Sequence, residues 1–257
     1  MRIQRILESS SSGRGFLQEH GPRLDTLPSH SNYFATLRSA RRGRLLHDLS
    51  VSLIREADAV LPNRLAGIAE LAGYECFAQD GHWHQAAVHD ARHEGVKMAV
   101  GHFYSLNRRT HSLRHLAVGQ RLHEHDMSVL KRCKPKGLCQ EVPKGRRVLI
   151  VYDKAGIDFD CWKRCRHENA VYFLSRVKEA MVYDWLDSRE WDRSDPRNHG
   201  IRWDRRGLTR DGHLMRPIGY IDPVGGEAFE FLSNRARSPR GGARGTLPAA
   251  LGGREGV

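Results

Sequence analysis

The stretch Arg146–Asp153, RRVLIVYD, constrains the fold more than any other part of this chain. Val148 to Tyr152 form an unbroken apolar and aromatic run rich in β-formers, and the run ends on a carboxylate. A continuous run of this kind suits a strand buried on both faces, at the centre of a sheet. Such a strand needs neighbours on either side and helices over its faces.

The neighbours are legible. YECFAQD (74–80) is a short apolar run that also ends on a carboxylate, and its last residue is expected to end its strand. GVKMAVGHFYSLN (95–107) and SLRHLAVGQ (112–120) read as two strands joined by the polar turn RRTH. EHDMSVLKRC has helical spacing, PKGLCQEVPKG reads as loop, and DFDCWKRC as a short helix. NAVYFLSRVK is one more strand, and RPIGYIDPVGGEAFEFLSN a hairpin across DPVGG. Before the sheet, Phe34, Leu37, Arg41, Leu45, Leu49 and Leu53 recur at helical steps, which predicts a helix packed on an apolar side and showing Arg38, Arg41, Arg42 and Arg44. Pro62 is placed to open a second helix, PNRLAGIAELAG, that stops at Gly73. The expected organisation is a poorly ordered leader (1–32), a helical segment (33–73), an α/β domain (74–234) and a disordered Arg/Gly tail (235–257).

Charge points to partners. The formal net charge is +12. Five Arg and one Glu in the tail account for +4 of it, which leaves +8 on the rest. A basic surface of that size favours polyanions, of which nucleic acid is the commonest. No run approaches the roughly 20 apolar residues of a membrane span. The opening MRIQRILESSSSGRGF lacks the apolar core of a secretion signal, so a cytoplasmic, reducing location with free thiols is expected for the five cysteines. Cys161 and Cys165 can share a helix face and hint at metal, but two further zinc ligands at suitable spacing do not stand out.

Asp80 and Asp153 occupy the same kind of position, at the end of a buried strand before a glycine-containing turn. Strands of one sheet deliver such residues to one edge, where converging carboxylates call for a cation. Hard oxygen donors suit Mg2+ or Mn2+, and a pair of such ions roughly 3.5–4 Å apart serves phosphodiester chemistry. Two other readings stay open. Strand-end aspartates commonly just form turns. Asp80, His82 and His84 also alternate onto one side of an extended strand, with His89 and Asp90 close behind, a set that suits a transition metal or a phosphate contact.

Three segments carry a family resemblance: FAQDGHWHQAAVHD; VLIVYDKAGIDF followed by NAVYFLSRVKEAM; and IGYIDPVGGEAFEFLSN. In order and spacing, over about residues 33 to 234, they resemble bacterial insertion-sequence transposases of family four, DDE enzymes with a ribonuclease-H-like fold. Asp153, Ala155 and Ile157 match that family's second-aspartate turn loosely; Phe173, Ser175, Arg176 and Lys178 match its next strand well. The resemblance implies a central mixed sheet flanked by helices, with Asp80 and Asp153 as catalytic Mg2+ or Mn2+ ligands. It implies DNA contacts from Arg176 and Lys178, joined by Arg41 and Arg42 on the basic helix. The implied partners are the terminal repeats of a mobile element and a second subunit, either another copy or a full-length transposase. The family's third ligand is a Glu in a helix after the last hairpin strand, within Y-x2-R-x3-E-x6-K. Here an Arg/Gly/Pro-rich stretch follows Asn234 instead, and Glu227 and Glu230 lie on the hairpin. The resemblance therefore implies a chain truncated at its C-terminus by a frameshift and inactive in cleavage and strand transfer. The alternative is a DNA-binding remnant that interferes with an intact transposase.

Overall fold

The computed structural model describes residues 31–32, 35, 39–89, 97–119, 126–132, 139, 142–178 and 181–236. The chain divides into two compact units, 1–56 and 57–257. The leader before residue 31 and the tail beyond Ala236 lie outside the described residues, as do Phe34, Leu37 and Asp90.

A helix, α1 (Ala40–Val60), begins in the first unit and ends in the second. Its leucines keep the expected spacing, but α1 has no buried residue, and Leu45, Leu49 and Leu53 are all exposed. The predicted second helix is replaced by tight turns and a single 3-10 turn, Ala69–Leu71. Asn63 redirects the chain, its side chain accepting the Leu65 N–H at 3.0 Å. Successive bonds reach back three residues, Ala66 to Asn63, Ile68 to Leu65 and Leu71 to Ile68, so no α-helical ladder is established.

The second unit is a mixed α/β fold on a nine-stranded mixed sheet, counted among the described residues. Its strands are β1 (Tyr74–His89), β2 (Lys97–Asn107), β3 (Leu113–Gly119), β4 (Arg147–Tyr152), β5 (Val171–Arg176), β6 (Tyr183–Ser188), β7 (Ile201–Thr209), β8 (Leu214–Ile221) and β9 (Ala228–Ser233). They lie in the order β3-β2-β1-β4-β5-β9-β8-β7-β6. β1, β4 and β5 run parallel, and every other pairing is antiparallel. Two short helices stand in the connections, α2 (Asp126–Arg132) before β4 and α3 (Phe159–Asn169) before β5. Strands β6 and β7 have no counterpart in the sequence reading; charged residues break up the alternation in YDWLDS and IRWDRRGLT.

β4 is central and covered twice, as its composition requires. Val148, Ile150 and Tyr152 face one core, with Phe77, Phe103, Val171, Phe173 and Trp162 of α3. Leu149 faces the other, with Tyr74, Cys76, Leu174, and Leu65 and Leu71 from the tight turns. Trp162 is fully buried and stacks on Phe173, ring centroids 5.2 Å apart, while Phe173 stacks in turn on Tyr152 at 5.7 Å. The Trp162 indole N–H donates to the Gly156 carbonyl at 3.2 Å. Gly156 is close-fitting, since a β-carbon there would lie 2.6 Å from the Tyr152 ring.

The chain does not stop packing at Asn234. Arg235 lays its guanidinium over the Tyr74 ring at 5.1 Å, and Ala236 is fully buried. Asn234, itself 1% exposed, joins three elements. Its Oδ1 accepts the Phe173 N–H, its Nδ2 donates to the Trp162 carbonyl, and its own carbonyl accepts from Arg166. Replacing Asn234 with Ala orphans the buried Phe173 N–H and removes a second bond from the Trp162 carbonyl, at a cost of about 1–3 kcal/mol. Urea unfolding of Asn234→Ala is expected to show a loss of that order, well above that of an Ala substitution at exposed Arg193.

Candidate functional site

Register decides which side chains meet. β1 and β4 pair from Tyr74 with Arg147 to Ala78 with Val151, and β4 and β5 from Val148 with Val171 to Tyr152 with Ser175. Asp153 continues β4 in extended conformation, φ −72° and ψ 167°. Carried on, the same register sets Asp80 beside Asp153 and Asp153 beside Arg176. Adjacent strands lie about 4.8 Å apart, and register partners share a face. The row continues on both sides: Asp80 is paired with Tyr104, Tyr104 with His115, and Arg176 with Phe231. One face of six neighbouring strands thus carries His115, Tyr104, Asp80, Asp153, Arg176 and Phe231 in line.

The two aspartates reach this row differently from expectation. Asp153 follows the last residue of β4, but Asp80 is in mid-strand, because β1 runs on to His89 in pairing with β2. Both are exposed. The Asp80 Oδ1 accepts the Gly81 N–H at 2.8 Å. The Asp153 carbonyl accepts from the Ser175 hydroxyl at 3.0 Å and from the Gly156 N–H at 2.9 Å, so both the next strand and the glycine turn fix its backbone. Trp162 holds that same turn from beneath.

Histidines gather beside Asp80. His82 is directly opposite His102, and the His102 Nδ1 lies 3.1 Å from the His115 Nε2. Tyr104 stacks with His102 and meets His115 edge-on. His102, Tyr104 and His115 escaped the sequence reading. The alternation in GHFYSLN puts His102 and Tyr104 on one face of β2, but only the antiparallel registers show that this is Asp80's face and that His115 of β3 shares it. His84 and His89 lie further along β1, past Trp83.

On the far side, Arg176 is exposed and sits over the Phe229 ring at 4.8 Å. Lys178 follows two residues beyond, partly exposed. Arg41 and Arg42 are exposed on α1, in the other unit. Glu230 is opposite Gly219 on β9, one residue from Phe231 and so on the other face of the sheet from Asp153. There its charge, after burial, pushes the Tyr183 phenol up. Glu227 is exposed at the hairpin turn. Neither adds a third carboxylate to the row. Among the described residues, no three His, Cys, Asp or Glu side chains gather as a metal-binding group.

Cavities lie elsewhere among the described residues of this unit. One, of about 410 Å³, is lined by Trp191, Arg193, Asn198, His199 and Arg202 near the start of β7. Another, of about 270 Å³, lies between Asp58, Glu75, Arg109, Arg114 and Arg146, and ion pairs occupy its walls. Buried Glu75 pairs with Arg109 at 3.5 Å and with Arg146, while Arg109 also donates to the Tyr74 and Leu71 carbonyls and to Asn63. Asp58 accepts from Ser112 and Arg114, each at 2.6 Å, and from Thr110. These contacts tie the end of α1 to the β2–β3 turn.

No family model matches this chain, and neither does any curated protein. Among solved structures it is similar to the piggyBac transposase in a synaptic complex with hairpin DNA, with a TM-score of 0.33 and 10% identity. The match covers 69% of this chain and 36% of that one, so the chain spans about a third of the protein it matches. No helix among the described residues is long and apolar enough to cross a membrane.

Burial pushes the Asp58 carboxyl up, but the bonds from Ser112, Thr110 and Arg114, with the Arg114 charge, outweigh it and hold the group below its ordinary value. A carboxyl lowered on folding stabilises the protein fully above its unfolded value, near 3.9, and loses that contribution as pH falls through the folded value. Asp58→Asn is therefore expected to melt below wild type at pH 6. The gap narrows as pH drops below about 4, and melting curves across that range check it.

Proposed function

We propose that this protein binds DNA across the Asp80–Asp153 face of its sheet and holds a divalent cation, Mg2+ or Mn2+, at the two carboxylates. The observation that carries this reading is the shared register of three exposed side chains, Asp80, Asp153 and Arg176, on one face of the sheet. The donor set fits the ion: two hard, solvent-reachable carboxylates side by side, one of them with a single oxygen engaged by Gly81. When bound, such an ion supplies Lewis-acid stabilisation of charge on a phosphodiester. The chain's own residues divide the remaining work. Ser175 and the Gly156 turn keep Asp153 in place. Arg176 and Lys178 offer positive charge to a phosphate backbone next to the carboxylates. Arg41 and Arg42 add a second basic surface on α1, consistent with the +12 net charge.

In its finer form the reading is a DDE-type transposase relative, in which cleavage of DNA at element ends and strand transfer need a third acidic ligand. Asp80 and Asp153 are the exposed carboxylates of this row, while Asp204, which the register places further along it on β7, is buried and bonded to Arg216; from two available carboxylates we infer binding of cation and DNA with little or no cleavage. That same observation favours the second reading, a DNA-binding protein that competes with an active transposase for ends or subunits.

The test separates ion from DNA. Mn2+ is expected to raise the melting temperature of the wild type, and the shift is expected to vanish in the double variant Asp80→Asn, Asp153→Asn. Duplex DNA binding is expected to weaken steeply with salt, and Arg176→Ala to lower the log–log slope by about 0.9. A Mn2+ shift that survives the double substitution would remove the ion site. Robust strand transfer by this chain would show that two carboxylates suffice or that another residue completes the set.

A further inference from the structure

Cys161 and Cys165 take no part in that reading. They lie one turn apart on α3 with their sulfurs 3.9 Å apart, in thiol–thiol contact. Cys161 is in the first helical turn, where Asp158 caps the helix by accepting the Cys161 N–H at 2.8 Å. That position puts its sulfur at the positive end of the helix, where thiolate is favoured. Cys161 is partly exposed, whereas Cys165 is 2% exposed and lies behind it. The contact with the Cys165 thiol is the main cause that lowers the Cys161 thiol; Arg164 helps, while burial and Asp158 oppose. The same contact, with burial, pushes Cys165 up. Elsewhere burial alone dominates, taking Cys76 up to about 11 and raising Cys139. One partly exposed cysteine thus stands apart from the other described thiols, with a second thiol already against it.

We propose that Cys161 and Cys165 form a thiol–disulfide exchange site that accepts low-molecular-weight disulfides of the glutathione type and closes a disulfide within α3. In the first step the Cys161 thiolate attacks one sulfur of the small disulfide. A protein–ligand S–S bond forms, the ligand's S–S bond breaks, and the first thiolate leaves to take up the proton Cys161 had lost. In the second step Cys165 loses its proton and attacks the Cys161 sulfur, and the second small thiol departs. Two protein thiols become one disulfide, oxidised by two electrons, and one small disulfide becomes two thiols. Residues four apart on a helix have α-carbons about 6.2 Å apart, inside the range a disulfide spans. The sulfurs must close from 3.9 Å to bonding distance, and the β-carbons, about 5–6 Å apart at this helical spacing, to about 4 Å, so the turn between them draws in.

The experiment uses the whole folded chain and oxidised glutathione at neutral pH, with alkylation to stop exchange and mass spectrometry after trypsin. Trypsin cuts after Lys163 and Arg164, between the two cysteines, so the closed bond holds two fragments together. The expected result is linked Cys161 and Cys165 fragments from native protein, in excess over the same treatment in urea. In the wild type Cys161 is expected to react at least about tenfold faster than Cys76 or Cys139; in Cys165→Ser, resolution is blocked, and Cys161 is expected to keep one glutathione. Cys161 reacting no faster than Cys76 would overturn the proposal. So would a wild-type Cys161 adduct that never resolves, or linkage no greater in native than in unfolded protein; these readouts need no variant to fold.

Discussion

Parallel pairing of β1 with β4, and of β4 with β5, sets the height and face of every side chain on the central sheet. A slip of one residue in either pairing would send Asp153 to the opposite face from Asp80 or Arg176. Two cores forbid the slip. Val148 and Ile150 are buried under α3 while Leu149 is buried under the tight turns at Leu65 and Leu71, so β4 has no polar side to trade. The carboxylate row is thus a consequence of packing several residues away from it. Trp162 extends that control past the end of β4, because its bond to Gly156 holds the turn into which Asp153 leads.

Placing two carboxylates side by side is unfavourable in itself, and magnitude shows why the fold tolerates it. Two unit charges roughly 5 Å apart repel by just under 1 kcal/mol in water, and by several times that in a low-dielectric interior. Asp80 and Asp153 are exposed, so the smaller figure applies, and Arg176 at the same height offsets part of it. The buried acids of this protein are handled otherwise. Asp204 takes two bonds from Arg216, and Glu75 is clamped between Arg109 and Arg146. Among the described residues, each buried carboxylate has its cation within the chain. Asp80 and Asp153 are exposed instead, and the cation proposed for them is an external one.

How much of this was legible depended on which physical term governed each segment. β4 was plain because burial on both faces leaves an unbroken apolar run, and the hairpin around Asp222–Gly226 because its turn residues are specific. β6 and β7 were not, since Arg205 packs over Trp185 and Trp203 and charged side chains there serve as packing material. The leucine spacing of α1 gave the helix correctly, but periodicity reports a face and not whether anything covers it. Asp80 and Asp153 were singled out by position type, whereas placing Tyr104, His102 and His115 beside Asp80 needed the antiparallel register of β2, which no single strand encodes. The end of Asp80's strand was misplaced for the same reason, as β2 carries β1 nine residues further.

α3 connects the two chemistries. Its first turn holds Cys161, its next residue is Trp162, and Trp162 secures the turn after Asp153. A disulfide from Cys161 to Cys165 would span Trp162 and draw in the helical turn from which its indole projects. The stack of Trp162 on Phe173 and of Phe173 on Tyr152 is flat, with interplanar angles of 9° and 12°, and leaves little freedom to absorb such a pull. Displacement of Trp162 would then be felt first at its single polar tether, the Gly156 carbonyl, two bonds of chain structure away from the Asp153 backbone that Gly156 itself contacts. Asn234 bonds the Trp162 carbonyl and the Phe173 N–H together, so α3 resists rigid-body movement and the strain is confined to that tether. One indole and one glycine turn thus lie between α3 and the Asp153 backbone.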